Sequence, residues 1–577
     1  MTAAGWTLTV IALVAGFGLA TEAEQSAAVS GRSAVVTQAN AEALRPVLQY
    51  EIKQGGGYSG QLAAAGGRLY LQTPFPHSLL AFDPTQPQGP IWTSPIEGNS
   101  EILRLDCCSA TVGGPVVLDG RLYANTFDGK VVALDSATGK RLWSARVADP
   151  QRGETLTLPP LPLGDMLIVG NSGDDFGARG WIAALAMQDG REVWKRFNTG
   201  PDSDVGIGAD FSPADPDDRG PDRGIATWPP DAWQRGGGLA ARPVYDPTLK
   251  QLFYATGHPA PWNSDLRPGD NKWTSGLFAR DAKTGSARWF TPINPGDPYA
   301  FGAAGSLIGA DLAWGGQSRP LLIHPDANGF VYVLDRSTGA ILAADPFLPS
   351  NAVTGIDLRA GRPQRNDEKV VHTNTLTRDI CPGWPGATGA NGLALGEADF
   401  SAQDGLLFIP VNGLCMDMEG RNTGFIAGTP YTGANLRAKS AAGRPAGGVI
   451  AWDIAQRRSA WRSDEAFPVQ GSVLSEGDLL FYGTLDGWFK ALDARTGGLV
   501  WQYRVASGII GRPIAFRGSD GRLYLAVVAG IGGPIGRVAQ NGIDLRDATA
   551  AHGFANALRD LPLPQSRGGT LYVFGLP

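Results

Sequence analysis

The chain has 577 residues, of which 43% are hydrophobic, 79 are glycine and 42 are proline. That much apolar material builds a core and excludes a disordered chain, while so much Gly and Pro calls for many turns between short buried strands. Forty-nine basic residues against 55 acidic ones leave a net charge of -6, which removes the electrostatic footing for a nucleic-acid partner.

The N-terminus opens with an apolar run from Trp6 to Ala20 followed by small and polar residues, the layout of a secretory signal peptide, although no Lys or Arg precedes it. The run is short of the ~20 residues that span a bilayer, and no other segment is apolar enough to do so. Residues 1–23 therefore read as a signal peptide, and the chain as exported rather than integral to a membrane. Cys107, Cys108, Cys381 and Cys415 are an even number that fits two disulfides in an oxidising compartment.

From Ala81 onward one pattern recurs: a strand ending in an apolar residue, Leu and Asp, then a Thr-Gly turn, then a strand carrying Trp. Clear copies are ALDSATGKRLW (Ala133 to Trp143), ARDAKTGSARW (Ala279 to Trp289) and ALDARTGGLVW (Ala491 to Trp501). Looser copies start at Ala81, Ala184, Val333 (this one without the Trp) and Ala451, which makes seven. Asp and Gly supply a turn that needs φ > 0, and the flanking VVAL, VYVL and FKAL runs favour strands. A four-stranded unit cannot bury both faces alone, so such units stack about an axis, and a Trp at a fixed offset packs into the next unit.

The stretch Asp202 to Arg235, rich in Asp, Pro and Gly, reads as a long loop, and the long inserts after Ala184 and Val333 are expected on one functional face. The closing GGTLYVFGLP is a strand with no unit after it; pairing with N-terminal strands would close a ring. The expectation is an all-β chain: one eight-bladed β-propeller with tryptophan-docking blade repeats over residues 24–577. No CxxCH occurs, so no c-type haem is expected.

Several strings carry a family resemblance: DCCSATVGGPV (Asp106 to Val116), VGNSGDDFGARGWIAAL (Val169 to Leu185), APWNSDLRPGDNKWT (Ala260 to Thr274), HPDANGFVYVLDRSTG (His324 to Gly339) and FYGTLDGWFKALDARTGGLVW (Phe481 to Trp501). In this order they resemble the quinoprotein methanol and ethanol dehydrogenases. The resemblance implies a periplasmic propeller holding pyrroloquinoline quinone and a calcium or lanthanide ion on its axis. Its usual chemistry is oxidation of a primary alcohol, with electrons passed to a cytochrome c.

The resemblance also assigns residues. It implies a Cys107–Cys108 disulfide lying flat against the quinone, a strained ring tolerated only where its surroundings enforce it, and a structural Cys381–Cys415 bridge. It puts Thr157, Ser172 and Asn391 at the quinone, and Asp175 and His258 at the metal, with His258 standing where the family has Asn. Thr157, Ser172 and Asn391 are equally well turn residues that satisfy their own backbone.

Other positions depart from the family. Ala240 stands where a Trp stacks on the quinone, Ala327 where a cation polarises it, Gly113 where an Arg is expected and Ser59 where an acid is expected. Ala300 stands at the catalytic base, although Asp297 keeps an acid just before it. Three readings follow: a quinone-linked alcohol dehydrogenase with a degraded or repurposed site; a catalytically inactive propeller that binds a cytochrome or a related dehydrogenase; or a quinone-independent enzyme such as a tetrathionate hydrolase, with Asp297 or Asp210 as the acid.

Overall fold

A computed structural model describes residues 36–577 except 61, 97, 106–111, 384–395, 533–549 and 563–567. The expected signal peptide, Cys107, Cys108 and Asn391 lie outside the described residues.

The chain is all-β, with short helical turns only in its loops. Among the described residues, eight antiparallel sheets of four strands follow one another. Six are continuous hairpin stacks spanning residues 63–95, 116–146, 161–197, 244–292, 308–346 and 474–504. A further one, at 399–465, is interrupted after Leu406–Asn412 by an excursion before Gly447–Asp453. The last sheet joins the two ends of the described chain: Arg45–Ile52 pairs with Gly569–Gly575, which pairs in turn with Leu523–Ala529.

The seven repeats sit at one place, the turn between the third and fourth strands of the first seven sheets. There the repeat's Ala lies directly opposite its Trp, as in Ala133↔Trp143, Ala279↔Trp289 and Ala491↔Trp501, and the register then slips by one residue. The Asp makes the turn by accepting a backbone N–H: Thr138 gives 2.8 Å to Asp135, Thr284 gives 2.9 Å to Asp281 and Thr496 gives 2.8 Å to Asp493.

The Trp reaches forward. Indole N–H groups of Trp92, Trp143, Trp194, Trp289 and Trp461 donate to the carbonyls of Ser136, Met187, Ala282, Arg336 and Ala494, each in the turn of a following sheet. The rings lie against Gly139, Gly190, Gly285, Gly339 and Gly497. The turn Gly therefore has two duties, a left-handed backbone and room for the preceding sheet's indole. At Gly497, φ is +74° and a Cβ would stand 2.6 Å from the Trp461 ring. Gly497→Ala should lower stability by about 2 kcal/mol in denaturant titrations, while Gly498→Ala next to it should change almost nothing. Equal midpoints for the two variants would remove this account of the repeat.

Between successive sheets lie apolar clusters, for example Tyr70, Leu79, Leu122 and Val132 between the first two. The last sheet packs on the first through Leu48, Phe82, Tyr524 and Leu571. Asp202 to Arg235, expected as a loop, is irregular apart from single helical turns such as Asp202–Val205 and Arg223–Ala226. The later insert makes a three-stranded sheet of Leu376–Ile380, Cys415–Gly420 and Ala434–Lys439, and Cys381 is disulfide-bonded to Cys415 as expected. Among the described residues no helix is long and apolar enough to cross a membrane.

Candidate active site

Three loops converge on one buried set of charges. The first follows the strand Met166–Gly170: Gly173, at φ +121°, presses against the Gly153 carbonyl and turns the chain into the helical turn Asp174–Phe176. The second, residues 257–275, contains the motif that carried the resemblance. The third, residues 294–302, follows the strand Ala287–Pro292.

Arg267 ties the second and third loops together. Its side chain is fully buried; Nε donates to Pro261 O at 2.5 Å, one terminal nitrogen to Asn271 Oδ1 at 2.7 Å, and the other to Trp262 O at 3.1 Å and Asp297 O at 2.5 Å. Planar and five-donor, a guanidinium can satisfy all four acceptors at once.

At the centre, Asp175 Oδ1 accepts the Trp262 indole N–H at 2.8 Å and lies 3.1 Å from His258 Nε2. The His258 contact is an ion pair without hydrogen-bond alignment. His258 is wholly buried, which alone would lower its pKa; Asp175 above all, then Asp174 and Asp297, outweigh burial and raise it to about 9. Asp174 takes the Gly238 N–H at 2.7 Å, and burial pushes its pKa up to about 6 against the pull of His258. Asp297 accepts N–H groups from Tyr299 at 2.9 Å and Gly302 at 2.7 Å, yet burial still holds its carboxyl above the usual range. These charges act at low effective dielectric, so each is felt strongly by its neighbours.

Of the expected site residues, the structure brings Asp175 and His258 together. Thr157 and Ser172 meet each other, their hydroxyl oxygens 2.6 Å apart and buried. Ala300 is fully buried in an apolar cluster with Trp262, Tyr299 and Phe301; Asp297, three residues earlier, acts on His258 after Asp175 and Asp174. Ala240 and Ala327 are likewise packed among apolar side chains. Gly113 abuts Pro159, leaving no room for a side chain there. Asp210 is exposed and paired with Arg288 at 2.9 Å. Asp174, Trp262 and Arg267 were not singled out from the sequence; their signals were the doubled Asp of SGDDFG and the buried polar run of APWNSDLRPGDNK.

A metal does not fit these residues. Calcium and lanthanide ions take six or more oxygens. Here Asp175 Oδ1 is already engaged by two N–H-bearing groups, and a nitrogen base replaces an oxygen donor. Among the described residues no three His, Cys, Asp or Glu side chains are placed to ligate one ion. The quinone fits better. Ser59 Oγ is buried with no hydrogen-bond partner, and it stands beside Gly60, which abuts Val112, as Gly113 abuts Pro159 near the Thr157–Ser172 pair. These hydroxyls suit the polar rim of a flat ligand, while Ala240 and Ala327 withhold a stacking ring and a cation.

Comparison with known proteins agrees with this scaffold. A family model described as the glucose/ethanol/alcohol dehydrogenase β-propeller domain matches residues 147–344, and one described as outer membrane protein assembly factor BamB matches residues 3–207 and 445–567. The lanthanide-dependent methanol dehydrogenase of Methylacidiphilum fumariolicum is 37% identical over 93% of this chain and 88% of its own length. Methanol dehydrogenase (cytochrome c) subunit 1 of Paracoccus denitrificans is 33% identical over 94% of this chain and 88% of its own. A solved europium-containing methanol dehydrogenase superposes with a TM-score of 0.89 at 36% identity, covering 94% of this chain and 95% of that one. The two family models share the chain's repeats between them, and relatives that run nearly end to end decide the assignment: the chain belongs to the pyrroloquinoline quinone-dependent methanol and alcohol dehydrogenase family.

Proposed function

We propose that the chain is an exported, periplasmic alcohol dehydrogenase-like oxidoreductase with a repurposed site, in which Asp297 takes the hydroxyl proton of a primary alcohol. The observation that carries this is a buried carboxylate, raised in pKa by burial, beside His258 in a family of alcohol oxidisers. A raised pKa brings a carboxylate nearer the working pH, where it is a stronger base. His258 and Arg267 keep that carboxylate's surroundings electropositive, and the carboxylate is wholly buried. Ser59, Thr157 and Ser172, with Cys107, Cys108 and Asn391, would hold pyrroloquinoline quinone, which would supply the two-electron acceptor, and a cytochrome c would be the electron partner.

The scaffold for this is a single eight-bladed propeller over residues 24–577, with Trp92, Trp143, Trp194, Trp289 and Trp461 docked into the next blade. Its closure is supported by a glycine rim: side chains at Gly396, Gly471 and Gly511 would collide with the carbonyls of Gly471, Gly511 and Tyr58, linking late sheets to the first. The second reading, a catalytically inactive propeller that binds a cytochrome or a related dehydrogenase, is favoured by Ala240 and Ala327.

Dye-linked primary-alcohol oxidation by protein reconstituted with pyrroloquinoline quinone decides between them. Turnover is expected, falling about 100-fold or more in Asp297→Asn with quinone absorbance retained. Wild-type protein that takes up quinone without turnover favours the inactive propeller, and an Asp297→Asn variant as fast as wild type removes Asp297 as the base.

A further inference from the structure

His258 sits where a charge is needed and an ion is not accommodated. Three carboxylates, Asp174, Asp175 and Asp297, surround one fully buried imidazole. His258 Nε2 lies 3.1 Å from Asp175 Oδ1, so the imidazole itself faces that carboxylate. Asp174 Oδ1 takes the Gly238 N–H at 2.7 Å, and its Oδ2 packs closely against Gly257. Asp297 is capped by two backbone N–H groups. Asp175 Oδ1 is shared between Trp262 and His258, and His258 Nε2 is buried with no aligned hydrogen-bond partner of its own.

We infer that the His258 side chain occupies the cation's place on Asp175, so that this site works without a bound calcium or lanthanide ion. The geometry makes the alternative costly, because an ion seated on Asp175 must displace an imidazole that is walled in by Trp262 and the Gly257–Pro259 backbone. The inference rests on the reading of this site as the reaction centre, but its consequence is measured as metal, not as turnover.

Terbium titration tests it, with emission sensitised by Trp262, whose indole bonds Asp175 directly. The whole wild-type chain should give no saturable emission at micromolar terbium, and its melting temperature should be unmoved by EDTA or by added calcium or lanthanum. His258→Asn, which returns an oxygen donor to the position, should bind terbium at least 100-fold more tightly, and His258→Asn with Asp175→Asn should lose that gain. One terbium per wild-type chain, released by Asp175→Asn, would overturn the inference. A folded His258→Asn chain that binds no better than wild type would also overturn it, since His258 would then not be what keeps metal out. Should His258→Asn fail to fold, the metal content of wild-type protein grown with lanthanum decides alone: below a tenth of an ion per chain supports the inference, and one per chain ends it. Absent alcohol turnover with no metal bound would sink the proposed activity and leave this inference standing; metal-dependent turnover would do the reverse.

Discussion

Arg267→Met should cost about 3–5 kcal/mol of unfolding free energy, although Arg267 touches no reacting atom. Methionine fills a similar volume, so the loss is not a cavity. It is the stranding of four acceptors, the carbonyls of Pro261, Trp262 and Asp297 and the Asn271 side chain, in a place where Arg267 is wholly buried and water cannot replace it. Burial already lowers the guanidinium pKa to about 9, against the pull of Asp297. Arg267→Lys should recover little, because one ammonium cannot reach acceptors spread from residue 261 to residue 297. Arg288→Met is the matched control: Arg288 is a third exposed and paired with Asp210 and Asp281, so its loss should stay within about 1 kcal/mol. Urea midpoints for the three variants give the comparison, and an Arg267→Met chain as stable as Arg288→Met would show that these acceptors find other donors.

The same contacts explain what could be read from the sequence and what could not. The seven repeats were legible because the Asp turn, the Gly and the Trp act within about a dozen residues of one another, and the following sheet supplies the same turn again. The last sheet carries no such repeat; only the terminal GGTLYVFGLP betrayed it, through pairing with Arg45–Ile52. Asp175 and His258 were legible through family resemblance. Their meeting with Asp297 was not, because Asp297 lies in an irregular loop with no period to fix its register. Asp174 and Trp262 gain meaning only from partners across the chain: Gly238 for one, Asp175 for the other. Local pattern reveals elements, whereas a buried charge is defined by whatever distant groups face it.

His77 shows that rule in a form that pH can read. It joins the first two sheets: Nδ1 meets the Thr73 carbonyl at 2.9 Å, and Nε2 receives the Phe127 N–H at 3.0 Å. Since Phe127 donates, Nε2 must be an acceptor and Nδ1 carries the hydrogen, so the imidazole is neutral. Burial pushes its pKa down to about 4, only partly opposed by the Thr73 carbonyl and Asp128. The folded value lies below the ordinary 6.5, so the contribution to stability is whole above pH 6.5. As pH falls from there toward 4, the unfolded chain takes up a proton that the folded chain refuses, and about 3 kcal/mol is lost. His77→Gln keeps a polar side chain between the two sheets but cannot titrate. Its urea-derived stability should fall between pH 7 and pH 4 by about 3 kcal/mol less than that of wild type, the carboxylates being common to both. Parallel pH profiles would mean that His77 already exchanges its proton in the folded state, and that the Phe127 N–H is not held by Nε2.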